Sequence, residues 1–182
     1  MEKFKLARED SLLFVIDIQE RLAPAIKDSD IVISNTLTLL KAAELMNIEK
    51  IATEQYPKGL GNTIALLKEY IKDEQVFSKV EFSACIDEVK NYIKKSNKNK
   101  IILTGMETHV CVYQTARDLL DMGLDVYIVR DAVGSRTEIN YLNGLDLLKE
   151  MGCIITNTET VLFDLLQKAG TEEFKTISKL IK

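Results

Sequence analysis

The chain has 182 residues, 46% of them hydrophobic and 29% charged, a balance that fills one core and would starve two. Its 24 Lys and Arg residues are interspersed with 28 Asp and Glu, for a formal net charge of -4; no basic face is offered to phosphates, and nucleic acid is not an expected partner. No apolar run approaches the roughly 20 residues a bilayer span needs, and Met1 to Arg8 lacks the apolar stretch of a signal peptide, so a cytoplasmic protein without membrane contact is expected.

Taken in chain order, short β-branched runs alternate with longer amphipathic ones, the pattern of a parallel sheet covered by helices on both faces. A first strand is read at residues 11–17, followed by a helix at 31–46, a strand at 50–53 and a loop at 56–62 rich in Pro and Gly. The spacing then predicts a helix at 63–71, a strand at 76–78, a helix at 86–96 and a strand at 100–104. The second half continues with a helix at 110–122, a strand at 125–130, a helix at 138–151, a strand at 153–156 and a last helix at 172–180. Gly123 and Gly152 follow two of these helices as C-terminal caps do. The basic run Lys94, Lys95, Lys98 and Lys100 falls at a helix end, where cations suit the carbonyl end of the dipole. The expected fold is one domain, a three-layer α/β/α Rossmann-like arrangement around a six-stranded parallel sheet.

In such sheets the ligand crevice opens beyond the carboxyl ends of the strands. Three strand ends carry chemistry: Asp17 after LLFVI, Lys79 after VFS, and GMETHVC after IILT. Cys111 starts a helix, where the partial positive charge and neighbouring cations lower a thiol pKa and free N–H groups can hold an oxyanion. The competing reading makes it a small buried hydrophobe, the common fate of a free cysteine. Cys85 and Cys153 are read as structural. Three widely spaced cysteines fit neither a disulfide framework nor a paired-cysteine zinc site.

Asp17 closes a run of apolar residues, where a carboxylate is costly unless paired; it can serve as a general base toward the thiol or simply as a turn residue. Lys79, among Phe77, Val80 and Phe82, can steady both charges, or it can lie along the surface with its head in water. His109 is the only histidine. Residues i and i+2 of a helix point to different faces, so His109 reads as a wall of the site or a subunit contact rather than the base for Cys111.

LLFVIDIQERL, KVEFSAC and TGMETHVCVYQTARDLLDMGLDVYIVRDAVGSR, in that order, together resemble the isochorismatase-like cysteine hydrolase superfamily over nearly the whole chain. The segment TEQYPKGLG at 53–61 is similar to isochorismatase-domain proteins rather than to nicotinamidases. The resemblance implies a catalytic Asp17, Lys79 and Cys111, a non-proline cis peptide between Met106 and Glu107, and an oxyanion hole from the backbone N–H groups of Glu107 and Cys111. Nicotinamidases carry an Asp and His metal cluster after the second strand; here that region has neither, so no metal and no cofactor are expected. True isochorismatases lack the cysteine, which turns the expectation from vinyl ethers toward amide, ureido or ester cleavage of a small molecule through a thioester. Gln19, Phe82 and Tyr113 are candidate pocket walls. Exposed apolar positions on the last helices, together with the resemblance, imply a homo-oligomer, a dimer or higher. The rival reading is a catalytically silent binding or redox-sensing protein that keeps the scaffold and a reactive Cys111.

Overall fold

The computed structural model describes residues 1–181. Six strands form one sheet: β1 (Ser11–Ile16), β2 (Glu49–Gln55), β3 (Val76–Lys79), β4 (Lys100–Met106), β5 (Asp125–Gly134) and β6 (Ile154–Thr156). All pairings are parallel, in the order β3-β2-β1-β4-β5-β6. The chain winds outward from β1 to one edge, then returns to lay β4 on the other side of β1. The strand order therefore reverses between β1 and β4, the place where open α/β sheets leave a crevice.

The helices are α1 (Ser29–Leu45), α2 (Pro57–Leu60), α3 (Ala65–Lys68), α4 (Asp87–Ser96), α5 (Tyr113–Asp121), α6 (Glu138–Glu150), α7 (Thr158–Leu166) and α8 (Glu172–Leu180). A π-helical turn, Thr108–Val112, precedes α5. β1 shows why two layers of helices are needed. Every residue of SLLFVI is buried, and successive side chains of a strand point to opposite faces. Leu13 and Val15 join the core beneath α1, α7 and α8, whereas Leu12, Phe14 and Ile16 join the one beneath α4, α5 and α6.

Several elements differ from the sequence reading, among them the loop expected at 56–62, which carries the one-turn helix α2. The helix expected at 63–71 shrinks to the single turn α3, because Thr63 is held outside it: its N–H donates to the Glu54 carboxylate (2.7 Å) and it bridges to Gln19. A helix absent from that reading, α7, starts where the Asn157 side chain accepts the Thr160 N–H (2.8 Å). β5 runs on to Gly134, four residues past the expected end, with a register shift against β4 between Leu103 and Gly105.

Candidate active site

Asp17 follows the last residue of β1 with φ 53°, a left-handed conformation that a short polar side chain tolerates. Its N–H still extends the sheet ladder to the Thr53 carbonyl (3.1 Å), while the carboxylate is fully buried. Oδ1 accepts the Thr53 hydroxyl at 2.8 Å, and Oδ2 accepts the Lys79 ammonium at 2.7 Å. Both side chains of this ion pair have 0% exposure. The pair thus sits where its partners, not water, must satisfy its charge.

Lys79 closes β3 and has its remaining donors engaged. Nζ reaches Gln55 Oε1 (2.9 Å), the Glu81 carbonyl (3.1 Å) and the Phe82 carbonyl (3.2 Å). Gln55 is itself fixed by Gln19, whose amide oxygen accepts the Gln55 N–H (2.7 Å) and whose amide nitrogen donates to the carbonyls of Gln55 (3.0 Å) and Gly61 (2.6 Å).

Cys111 lies in the π turn after β4, 5% exposed, near enough to Asp17 and Lys79 for both charges to act on its thiol. Burial pushes the Cys111 thiol up to about 12, the Asp17 charge adds to this, and the Lys79 ammonium opposes it. Burial likewise raises Asp17 above its ordinary value, against the lowering effects of Lys79, Thr53 and Cys111. The expectation of a standing thiolate is therefore corrected: a helix start and one lysine do not offset desolvation and a neighbouring anion. Cys85 and Cys153 are also pushed up to about 12 by burial, so what distinguishes Cys111 is its company, a buried carboxylate and an ammonium that both act on its thiol.

The structure thus brings Asp17, Lys79 and Cys111 together from the ends of β1, β3 and β4. The Met106–Glu107 peptide is cis. Glu107 is buried, with Oε1 accepting Arg136 Nε at 2.9 Å and its carbonyl accepting the N–H groups of Val110 (3.1 Å) and Val112 (3.2 Å). His109 Nδ1 lies 3.0 Å from Ser135 Oγ, and Nε2 lies 3.5 Å from Glu107 Oε2 without a hydrogen bond to it.

The proposed pocket walls fare differently. Gln19 is fully enclosed and acts as a strut between β2 and the 56–62 loop, because both ends of its amide are spent on backbone. Phe82 is 56% exposed and touches the site through its carbonyl. Tyr113 opens α5 and packs, half-buried, on the core under that helix. A groove of about 720 Å³ beside β3 is lined by Tyr56, Lys79, Val80, Ser83 and Cys85, among others. Sequence reasoning missed Thr53, Gln55 and Thr115, polar residues in apolar surroundings whose roles come only from partners distant in the chain. Among the described residues, no group of three or more His, Cys, Asp or Glu side chains is gathered to hold a metal, and no helix is long and apolar enough to cross a membrane.

A parallel α/β sheet with polar residues converging at its switch point defines a three-layer α/β protein of the kind that binds and transforms ligands at the carboxyl edge. The Isochorismatase domain model matches residues 11–160, and the chain belongs to the isochorismatase-like hydrolase family. It is 39% identical to a secreted isochorismatase effector of Phytophthora sojae, over 98% of this chain and 87% of that protein. It is likewise 39% identical to isochorismatase domain-containing protein 2 of Danio rerio, over 97% of this chain and 89% of the relative. Among solved structures, a ribonuclease of Caenorhabditis elegans superposes with TM-score 0.92 and 38% identity, over 97% of this chain and 92% of that one.

Proposed function

We propose that this chain is a cysteine-dependent hydrolase that cleaves a small amide, ureido or ester bond through a thioester, without a metal. The observation that carries the reading is the buried ion pair of Asp17 with the Lys79 ammonium at 2.7 Å, with Cys111 close enough for both charges to act on its thiol. Its raised affinity for a proton suits a group that must take one from sulfur. Moving that proton converts carboxylate and thiol into acid and thiolate while the ammonium keeps one anion beside it, so the net charge of the buried cluster does not change.

The thiolate attacks the carbonyl carbon, and the N–H groups of Glu107 and Cys111 hold the oxygen as it becomes negative. Collapse breaks the carbon–nitrogen or carbon–oxygen bond, and Asp17 returns its proton to the leaving amine or alcohol. Water then attacks the thioester, giving a proton to Asp17; the thiolate departs and recovers that proton, and the acid is released. The redox-sensor reading needs thiolate character at rest, which burial of Cys111 opposes.

A small-molecule substrate suits the interspersed charge and the net -4; the ribonuclease activity in its name belongs to the Caenorhabditis elegans protein. Three free cysteines suit a reducing compartment, which supports a cytoplasmic location. Exposed Ile139 and Leu142 on α6, with Ile31 on α1, support self-association. The test of the reading is hydrolysis of p-nitrophenyl acetate and of small primary amides by the purified chain. Cys111→Ala should lower turnover at least about 1,000-fold with the fold retained by circular dichroism; a variant as active as the parent would end the proposal.

A further inference from the structure

The segment from Val80 to Cys85, between β3 and α4, has no regular structure, yet two of its carbonyls, those of Glu81 and Phe82, hold the Lys79 ammonium (3.1 and 3.2 Å). Just downstream the same segment is fastened to α5. The Ala84 N–H donates to Thr115 Oγ1 at 2.8 Å, and the Ser83 hydroxyl donates to Asp118 Oδ2 at 2.6 Å. Thr115 and Asp118 are three residues apart, hence on one face of the helix. Thr115 Oγ1 also donates to the Cys111 carbonyl at 2.6 Å.

One hydroxyl therefore joins the backbone of the residue carrying the sulfur to the loop that seats the ammonium. Thr115 and Ala84 both have 0% exposure, so no water replaces either bond. Donation from a threonine to the carbonyl four residues earlier is ordinary within a helix. The bond from Ala84, 31 residues away in sequence, has no such local explanation.

We infer that Thr115 is a positioning residue: its hydroxyl sets the separation between the Cys111 turn and the Lys79 loop, with Asp118 clamping the same loop one turn further along α5. This rests on the hydrolase reading above. A valine in place of Thr115 keeps the shape but leaves the buried Ala84 N–H without its partner, and the loop must move to find a new one. Displacements near 1 Å in a reacting constellation cost on the order of 100-fold in rate.

The experiment compares wild type with Thr115→Val, Thr115→Ser, Asp118→Ala and Asp17→Asn, each as the full chain. It measures kcat and KM for p-nitrophenyl acetate, the rate of iodoacetamide alkylation at Cys111 by peptide mass spectrometry at pH 8, and the melting temperature. Thr115→Val should lower kcat roughly 10- to 100-fold with KM within about 3-fold, slow alkylation at Cys111 in parallel, and be rescued to near wild type by Thr115→Ser. Asp118→Ala should shift both rates the same way by a smaller factor, and it carries the test alone if the valine variant does not fold. A merely structural threonine would lower the melting temperature and leave kcat and alkylation of the folded protein unchanged; that result, or Thr115→Ser matching Thr115→Val, overturns the inference. If Asp17→Asn collapses turnover while Thr115→Val and Asp118→Ala do not, the clamp fails and the hydrolase reading stands. If wild type hydrolyses nothing, that reading fails, and the alkylation comparison still decides the clamp.

Discussion

At Asp17 two opposed demands meet: a carboxylate buried enough to hold a proton, and a cation close enough to keep it ionised until a proton is offered. Burial raises its pKa and Lys79 restrains the rise. Removing the cation exposes the balance. Lys79→Ala leaves a buried anion to which the Thr53 hydroxyl still donates, and breaking such a pair costs about 3 kcal/mol or more. Because the stranded carboxyl escapes by taking up a proton, the loss should be largest at alkaline pH and shrink as the medium is acidified. Urea denaturation at two pH values checks this; equal loss at both would mean that Lys79 contributes packing rather than charge. Gly105 shows how little room the constellation leaves. It pairs with Ile16 immediately before Asp17, at φ +143°, and a Cβ there would lie 2.3 Å from the Ile16 carbonyl oxygen.

Elements were legible in proportion to how locally they are specified. The strands LLFVI and IILT and the helix after Cys111 stand out because apolar spacing and flanking turn residues agree. β5 outran its expected end because Arg130 and Asp131 interrupt the apolar run, whereas the ladder is closed by β4 and not by propensity. The miss at α7 had a readable signal: Asn157 at a cap position ahead of Val161, Leu162, Leu165 and Leu166, the i, i+4 spacing of a buried stripe. Asn157→Ala should cost about 1 kcal/mol of stability through the lost cap, seen as a lower urea midpoint with unchanged slope, and an unchanged midpoint would deny the cap any weight. The three polar strand ends were visible as candidates, but their partners were not. Thr53, Gln55 and Thr115 are anonymous until the sheet order places them within a hydrogen bond of the site, and the state of the sulfur depends on burial that spacing does not encode.

For the whole molecule, strand order is the decisive feature. Only the reversal between β1 and β4 sets Asp17 beside the turn carrying Cys111, while β2 spaces Lys79 across from it and lends Thr53 and Gln55. The termini are drawn into the same body: Arg8 holds Glu173 of α8 through two hydrogen bonds (3.1 and 2.7 Å), and the Leu6 N–H donates to Asp164 of α7 (2.6 Å). Among the apolar side chains the single chain leaves uncovered are Ile31, Ile139 and Leu142, 57%, 80% and 47% exposed. Light scattering should return a mass at least twice the 20.6 kDa of one chain, and Ile139→Lys with Leu142→Lys should reduce it; a monomer at micromolar concentration would remove self-association from the account.

The most direct test of the shared carboxylate is the pH dependence of acyl transfer to Cys111, followed by rapid quench and intact mass after mixing with p-nitrophenyl acetate. In the proposed mechanism the thiol gives up its proton only to an ionised Asp17, whose pKa lies above its ordinary 3.8. The acylation rate should therefore rise with pH through a midpoint above 3.8, and Asp17→Asn should lack both that limb and most of the rate. An Asp17→Asn variant that acylates Cys111 as fast as wild type, with the same acidic limb, would contradict the account.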